Sequence, residues 1–203
     1  MTQLAESLRA ESLRTESLRA EPVLAPVTRW RSTNAWFGRP YGPPIAIVLH
    51  TQSGGDSGTI AEWLNSSSDL SAHYSVGLDG RLECRIDPGD RAWSNGVLEP
   101  GNAWTEIARA SGVDPALNPN HVTVSCETED CGNPRQAVTE RQYDALLYAL
   151  WQAKLRYPRS LRYLVRHSDI SPQSRPHCPG ERWLSCGRFE ALAAALGLRV
   201  VPT

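Results

Sequence analysis

The sequence lacks any long apolar run and any excess of charge of one sign. No segment approaches the ~20 consecutive apolar residues that span a bilayer, so we expect no membrane insertion. Lysine and arginine together number 21 against 22 aspartate and glutamate residues, which gives a formal net charge of -1. A chain with so little net charge exerts no long-range attraction on polyanions. We therefore expect neither nucleic acid nor anionic lipid as a partner.

The sequence also lacks paired-cysteine motifs, and its first residues lack the pattern expected of a signal peptide. Its 5 cysteines cannot all pair within one chain, and none lies in the CxxC spacing of structural zinc sites or redox motifs. A reducing compartment is therefore the simpler interpretation. Residues 1–22 contain no apolar core of signal-peptide length and are interrupted by Glu and Arg. These features predict a soluble protein that is synthesised in the cytoplasm.

The length and composition are typical of one compact domain, with 203 residues of which 40% are hydrophobic and 21% charged. Residues 6–20 repeat ESLRA, ESLRT and ESLRA, and the leucines of this repeat recur with a period that fits neither an α-helix nor a coiled coil. We interpret residues 1–27 as a solvated tail and residues 28–203 as the domain. An arm that contacts a charged surface is the alternative, but balanced Glu and Arg give little electrostatic attraction.

Five segments have the patterns of β-strands. Ile45–His50 is a continuous apolar run after Gly42-Pro43-Pro44, which is typical of a central strand buried on both faces. Asp79-Gly80 separates two short segments and indicates a hairpin turn. Val122–Glu127 alternates apolar and polar residues, so Glu127 ends the polar face of a strand. Leu161–His167 is the last of these segments, and like Ile45–His50 it ends in a histidine.

Two segments have helical spacing. Thr139–Arg156 begins with a Thr-x-x-Gln pattern typical of a capping box and ends before a proline. The last amphipathic segment carries Phe189 and Leu192, and Gly197 follows where a C-terminal cap is expected. Strands interleaved with helices predict an α/β fold, a single domain with a mixed central β-sheet flanked by helices.

Two histidines and one cysteine are candidate metal ligands. His50 and His167 each end an apolar strand, and an α/β sheet presents its strand ends to a cleft. A single histidine in such a place is more often a structural residue. A proline-rich loop, however, returns Cys178 close to the strand that ends at His167. Three such ligands leave the fourth position of a zinc ion to water, whose pKa falls to about 7 there.

Four separated segments together carry a family resemblance. They are Ile47–His50, Ser71–Tyr74 with Asp79-Gly80, Asp90–Gly96, and His167–Pro172 through Cys178–Gly180. They span roughly residues 36–196 and resemble the first-ligand strand, the hairpin, the substrate-side loop, and the second and third ligands of type-2 N-acetylmuramoyl-L-alanine amidases. This family includes phage endolysins and is similar in fold to the peptidoglycan-recognition proteins.

The resemblance implies an amidase-2 domain with one catalytic zinc, held by His50, His167 and Cys178, that hydrolyses the amide between N-acetylmuramic acid and L-alanine of peptidoglycan. The segment Thr123–Glu129 is similar to the family strand that supplies an acidic catalytic residue, and that residue falls on Glu127. Such a carboxylate takes a proton from the attacking water and passes it to the leaving amine. Spacing alone would make Glu127 a solvated strand-end residue, whereas the resemblance favours the catalytic role.

The third-ligand loop departs from the family pattern. Relatives often have Asp where this chain has Cys178, although peptidoglycan-recognition amidases use Cys before Pro-Gly. His177 is adjacent, and we prefer Cys178 as the ligand because Pro-Gly follows it directly. Many relatives place Lys, Thr or Tyr near the metal to stabilise the oxyanion, but the nearest matching position here is Pro176. Arg175 or His177 could supply that donor, or Arg175 could be a solvated loop residue.

Three further residues are candidates for contact with the substrate. In relatives with this hairpin motif the residue at His73 is not a metal ligand, so we assign it a place on the substrate side or behind the ligands. Arg91 and Trp93 resemble cleft residues that pack against the stem peptide or the sugar. The alternative for Trp93 is a place in the core.

We expect a monomer that acts on peptidoglycan or muropeptides, encoded by a phage as an endolysin that waits in the cytoplasm until it can reach the cell wall. A cytoplasmic amidase of muropeptide recycling would be equally soluble. A module that binds peptidoglycan without cutting it is a further alternative, although the chain retains a complete set of ligands. The last is a cysteine hydrolase with Cys178 as nucleophile and His167 or His177 as base.

Overall fold

A six-stranded mixed β-sheet forms the centre of the fold in a computed structural model that describes residues 28–29, 34–65, 67–133 and 135–201. The tail expected over residues 1–27 lies outside the described residues, so its boundary stays a prediction. None of the helices in the described part of the chain combines the length and the apolarity needed to cross a membrane.

The described residues form eight strands in two sheets. In chain order the strands are β1 (Thr28–Arg29), β2 (Ala35–Trp36), β3 (Ala46–Thr51), β4 (Tyr74–Val76), β5 (Leu82–Cys84), β6 (Arg91–Ala92), β7 (Thr123–Thr128) and β8 (Tyr163–Arg166). The main sheet has the order β1-β5-β4-β7-β3-β8, and β2 pairs with β6 in a separate antiparallel ribbon. Among the described pairs of the main sheet, β4 and β5 are antiparallel and the others are parallel. These two strands form the hairpin predicted around Asp79-Gly80, so the mixed sheet flanked by helices is confirmed.

The helices of the described residues are α1 (Asp56–Leu64), α2 (Trp104–Ala110), α3 (Glu140–Arg156), α4 (Glu181–Leu184) and α5 (Arg188–Ala195). Helix α2 packs on one face of the main sheet, and α3, α4 and α5 pack on the other. Two short 3-10 helices, Pro119–His121 and His167–Asp169, lie at the ends of connections. The second one begins immediately after β8, so His167 sits at a point where the backbone changes direction.

Strand β3 shows how the sequence assigns its two faces. Ile47 and Leu49 pack into the core that α3 and α5 cover, whereas Ala46 and Val48 pack into the core that contains Trp104 of α2. Because side chains alternate between the faces of a strand, His50 lies on the α2 side. The strand is buried on both faces, as its continuous apolar run predicts.

The capping box predicted for α3 forms only in part. Thr139 accepts a hydrogen bond from the backbone N–H of Gln142 at 3.0 Å, as an N-cap residue does. The Gln142 side chain does not return to Thr139, and its amide donates instead to the carbonyl oxygens of Val76 and Glu129. The carbonyl oxygen of Val76 also accepts a hydrogen bond from the N–H of Glu129, so the Gln142 amide joins the ends of β4 and β7 instead of closing the helix terminus.

The C-terminal cap of α5 forms as the sequence predicts. Gly197 has a φ of 61° directly after α5, which is the left-handed conformation that glycine adopts without strain. Leu198 then donates its N–H to the carbonyl oxygen of Ala193 at 2.8 Å, which closes the helix end.

Candidate metal centre and active site

Parallel pairing brings the candidate residues to one edge of the sheet. Strands β3, β7 and β8 run in the same direction, so their carboxyl ends meet at that edge. His50 of β3 lies opposite Glu127 of β7 in the register, and His167 follows the last residue of β8. Alternation along β3 and β7 turns both side chains to the α2 side of the sheet.

Three potential ligand atoms converge at this edge. One ring nitrogen each of His50 and His167 and the sulfur of Cys178 lie within 4.8 Å of one another, and all three residues are buried. Two imidazole nitrogens and a thiolate are a donor set that zinc prefers, and three protein ligands leave one position open, as in catalytic zinc sites. The residues that the sequence singled out as ligands therefore fit a zinc ion.

The two imidazoles face each other through the same kind of nitrogen. His50 Nδ1 lies 3.0 Å from His167 Nδ1, and the rings are tilted by 59°. Burial lowers the pKa of His50 well below its usual value, and the neighbouring His167 lowers it further. Burial also lowers the pKa of His167 to about 4. Both rings are therefore neutral at pH 7, which is the form that binds a metal.

Cys178 reaches the centre from the loop that follows the second 3-10 helix. Its sulfur accepts a hydrogen bond from the backbone N–H of Thr51 at 3.4 Å, and its carbonyl oxygen accepts one from Ser168. Burial, and then the charge of Glu127, raise the pKa of the thiol to about 12. A thiolate at this position therefore requires a neighbouring cation. The adjacent His177 is exposed and lies outside the converging group.

Glu127 stands beside the three ligand atoms. Its Oε1 lies 3.7 Å from His50 Nδ1, and its side chain is 15% exposed. Burial raises the pKa of Glu127 to about 8, and the charge of Arg175 opposes that increase. A carboxyl group with such a pKa can both accept and release a proton near neutral pH.

A cleft of about 330 Å³ opens beside Cys178. Its lining includes Thr51, Asp130, Arg175 and His177. The positive charge of Arg175 lowers the pKa of His50, His167, Glu127 and Cys178, so its guanidinium group lies within electrostatic reach of the whole centre. Arg175 and His177 are both exposed and can therefore contact a ligand in the cleft.

Arg91 and Trp93 lie at the β2–β6 ribbon. The ring of Trp93 is 5.1 Å from that of Trp36, and the guanidinium group of Arg91 stacks over Trp36 at 5.2 Å. Arg91 also lies 2.9 Å from Nδ1 of His121. Both residues are half-buried, so neither is a pure core residue. Contact with a substrate stays a prediction for both.

The assignment of His73 to the substrate side needs correction. The residue is 1% exposed, and its Nδ1 lies 3.0 Å from both the hydroxyl oxygen and the backbone nitrogen of Ser125. Its Nε2 lies 3.1 Å from a guanidinium nitrogen of Arg39. Burial, and then the charge of Arg39, lower the pKa of His73 to about 3. With both nitrogens engaged in the interior, His73 joins β4 to β7 and offers no surface to a substrate.

Asn95 contacts both histidines, and sequence patterns did not predict this. Its side-chain oxygen lies 3.1 Å from His50 Nε2, and its backbone oxygen lies 3.2 Å from His167 Nε2. Asn95 falls within the segment Asp90–Gly96 that resembles the family's substrate-side loop. No pattern in that segment shows that the asparagine is buried, because its partners come from three distant parts of the chain.

Comparison with known proteins agrees with this geometry. The model of the N-acetylmuramoyl-L-alanine amidase family (Amidase_2) matches residues 40–181, which include all three ligand candidates and Glu127. The chain belongs to this family. The match assigns it to the enzyme class of N-acetylmuramoyl-L-alanine amidases. A search of curated proteins finds no match.

Solved structures of similar fold include several amidases. An AmpD derivative is 22% identical with a TM-score of 0.59, covering 83% of this chain and 95% of its own. An endolysin N-acetylmuramoyl-L-alanine amidase, LysCS from Clostridium intestinale, is 19% identical with a TM-score of 0.55 and coverages of 87% and 98%. PlyL is 15% identical with a TM-score of 0.57 and coverages of 86% and 100%. At these identities the likeness establishes the fold.

Proposed function

We propose that this protein is a zinc-dependent amidase that hydrolyses the bond between N-acetylmuramic acid and L-alanine in peptidoglycan. The observation that carries the proposal is the convergence of His50, His167 and Cys178 within 4.8 Å in a chain of the amidase family. In this proposal these three residues hold one zinc ion. Glu127 stands next to them and is the general base and acid.

The proposed reaction assigns one proton path to Glu127. Zinc in such a site supplies Lewis acidity, which activates water at neutral pH and polarises the scissile carbonyl group. The Glu127 carboxylate takes a proton from the attacking water, and the water oxygen forms a bond to the carbonyl carbon. The Glu127 carboxyl group then gives that proton to the nitrogen of L-alanine as the C–N bond breaks. An amine leaves readily only once it is protonated.

Arg175 and His177 are the proposed contacts on the cleft side. Negative charge develops on the carbonyl oxygen during the attack, and preorganised donors that point at such an oxygen stabilise the transition state. Arg175 is the stronger candidate because its charge already reaches all four residues of the centre. His177 lines the same cleft, which supports its proposed contact with the stem peptide.

The bond that is cleaved can be identified directly by mass spectrometry of digested peptidoglycan. The proposal requires new L-alanine amino termini and no new reducing sugar ends. The Glu127→Gln variant should retain zinc and yield neither product, because the amide side chain cannot accept the proton. New reducing ends would show a glycosidase and contradict the proposal, and new amino termini elsewhere in the peptide would show a different peptidase specificity.

Two alternatives make distinct predictions. A peptidoglycan-binding module without activity would keep its affinity for the wall when Cys178 is replaced by Ser, and would release no products in either form. A cysteine hydrolase would retain activity in the presence of a chelator. The raised pKa of Cys178 disfavours this second alternative, since a cysteine nucleophile requires a thiolate. Loss of activity on chelation, restored by zinc, would exclude it.

For the biological setting we propose a monomeric phage endolysin that acts on the cell wall after release from the cytoplasm. The similarity in fold to LysCS, itself an endolysin, supports this setting. A muropeptide-recycling amidase is the competing setting. Digestion of intact sacculi should be as efficient as digestion of soluble muropeptides for an endolysin, whereas a recycling enzyme should cleave only the soluble fragments.

A further inference from the structure

Asn95 contacts both imidazoles of the candidate centre at Nε2, whereas the Nδ1 atoms of the two rings face each other. The residue is fully buried, at 0% exposure, in the loop that follows β6. Its side-chain oxygen faces Nε2 of His50, and its backbone oxygen faces Nε2 of His167. One residue therefore contacts the outer nitrogen of both rings.

The hydrogen-bond network fixes the orientation of the Asn95 amide. The Asn95 amide nitrogen lies 2.8 Å from the Thr123 hydroxyl oxygen, and that hydroxyl group donates to the carbonyl oxygen of Pro119 at 2.9 Å. Since the hydroxyl proton is used for Pro119, its oxygen accepts a hydrogen bond from the Asn95 NH2 group. The amide oxygen consequently points to His50. Asn120 also accepts a hydrogen bond from the backbone N–H of Asn95 at 3.0 Å, which fixes the peptide itself.

This orientation determines which ring nitrogens carry protons. A carbonyl oxygen only accepts hydrogen bonds, so Nε2 donates in both His50 and His167. A neutral imidazole has one N–H group, and each Nδ1 therefore presents a lone pair. The two Nδ1 atoms that carry these lone pairs face each other at 3.0 Å, and one ring nitrogen of each histidine lies within 4.8 Å of the sulfur of Cys178. Two lone pairs at that distance repel unless a cation lies between them.

We propose that Asn95 is a positioning residue that selects the Nε2–H tautomer of His50 and His167 and so directs both Nδ1 lone pairs to the metal. This inference rests on the proposed function, since it takes the metal to be the one held by these ligands. Groups that hydrogen-bond the free nitrogen of a ligating histidine orient the ring and increase metal affinity. Asn95 acts on His50 through its side chain and on His167 through its backbone.

The first test needs no substitution. Long-range 1H–15N correlation spectra of the metal-free protein at neutral pH report which ring nitrogen of each histidine carries the proton. The expected result is the Nε2–H form for both His50 and His167. A proton on Nδ1 of either ring would overturn the proposal, because that nitrogen could not then accept a metal without a tautomer change.

The second test distinguishes the side-chain contact of Asn95 with His50 from its backbone contact with His167. In Asn95→Ala the side-chain acceptor is lost, so His50 should become a mixture of tautomers while His167 keeps Nε2–H through the backbone oxygen. Zinc affinity, measured by competition with a chromophoric chelator, should fall about 10- to 100-fold. Asn95→Asp loses the NH2 group that donates to Thr123 but keeps an oxygen that faces His50, so it should restore the Nε2–H tautomer of His50 and bind zinc more tightly than Asn95→Ala does.

Asn34 provides the matched control. It is also a buried asparagine, 3% exposed, and its amide donates to the backbone oxygens of Asn65 and Leu70, away from the centre. Asn34→Ala should lower the thermal stability and leave the histidine tautomers and the zinc affinity unchanged. If Asn95→Ala fails to fold, the histidine tautomers of the unsubstituted protein and of Asn95→Asp still test the proposed role of Asn95.

The outcomes for this inference and for the proposed function are distinguishable. A chain that binds no zinc before any substitution would contradict the proposed function. A chain that binds zinc, and whose Asn95→Ala variant binds it equally tightly with an unchanged His50 tautomer, would overturn only the role of Asn95.

Discussion

The two faces of strands β3 and β7 differ although the same strands build both. On the α3 side, Ile47, Leu49, Val124 and Cys126 are fully buried and apolar. On the α2 side, β3 carries the apolar residues Ala46 and Val48 before it ends at His50. The same face of β7 is polar along its whole length, with Thr123, Ser125 and Glu127. Because side chains alternate along each strand, the α3 side provides apolar packing, and the carboxyl end of the α2 side provides the residues of the candidate centre.

This difference between the faces predicts whether a substitution changes stability or activity. A change on the α3 side removes packing without touching the candidate centre, so it should lower stability and leave the activity of folded molecules intact. A change at the carboxyl end of the α2 side should lower the activity and leave the stability close to that of the unsubstituted protein. Four substitutions or conditions can break or sharpen this separation, and the expected loss of activity is largest for the first.

Glu127→Gln should cause the largest loss of activity, about 10²- to 10⁴-fold, because it removes the only proposed carrier of the proton. Zinc content and thermal stability should stay close to those of the unsubstituted protein. Turnover of muropeptides and metal analysis of the purified variant would check this. Glu106→Gln is the control, since Glu106 lies exposed on α2 and pairs with Arg109 of the same helix. Activity of Glu127→Gln within a few-fold of normal would remove Glu127 from the mechanism.

Leu146→Ala should produce the largest loss of stability with no loss of specific activity. Leu146 is 0% exposed in α3 and packs in the core on the side of the sheet that faces away from the centre. Truncation of a fully buried leucine leaves a cavity and costs about 2–5 kcal/mol of unfolding free energy. Urea denaturation and zinc titration of the folded variant would measure both properties. A weakened zinc site would show that the two faces are coupled.

Arg175→Gln should lower the turnover number about 10-fold, less than a buried oxyanion donor would, because water partly replaces an exposed side chain. Zinc affinity should change little, since Arg175 is not among the converging ligand atoms. Arg175→Lys keeps the charge and should retain most of the activity. Steady-state kinetics on a soluble muropeptide would distinguish a change in turnover from a change in the Michaelis constant. A normal turnover number in Arg175→Gln would return the oxyanion role to His177.

His73 should make the protein sensitive to acid. Its pKa is about 3 in the folded chain and near 6.5 in an unfolded one, so between these values the unfolded state binds the additional proton. The contribution of His73 to the free energy of unfolding is therefore at its maximum above pH 6.5, and it decreases as the pH falls toward 3. The slope is about 1.4 kcal/mol per pH unit for one linked proton. His73→Asn should reduce the slope in urea denaturation over that window, and an equal slope in both proteins would contradict this account.

Much of the fold could be predicted because its signals are local. The apolar run of β3, the Asp79-Gly80 turn and the alternation before Glu127 each depend on neighbouring residues. The same holds for the helix that begins after Thr139. Gln142 was misassigned because its side chain bonds to distant carbonyl groups of Val76 and Glu129, which no local pattern reveals.

The residues of the candidate centre also differ in whether the sequence could indicate their roles. His50, His167 and Cys178 could be singled out because strand ends and a returning loop leave a pattern, to which the family resemblance adds Glu127. His73 and Asn95 could not be assigned, because their roles depend on which partners fold against them. For His73 these are Arg39 and Ser125, and for Asn95 they include both histidines.

The most direct test of the zinc centre is X-ray absorption at the zinc K-edge of the loaded protein. The account predicts one zinc per chain with a single sulfur neighbour at about 2.3 Å and two nitrogen neighbours at about 2.0 Å. The sulfur contribution should disappear in Cys178→Ser. A shell made only of nitrogen and oxygen in the unsubstituted protein would contradict the assignment of His50, His167 and Cys178 as the ligands.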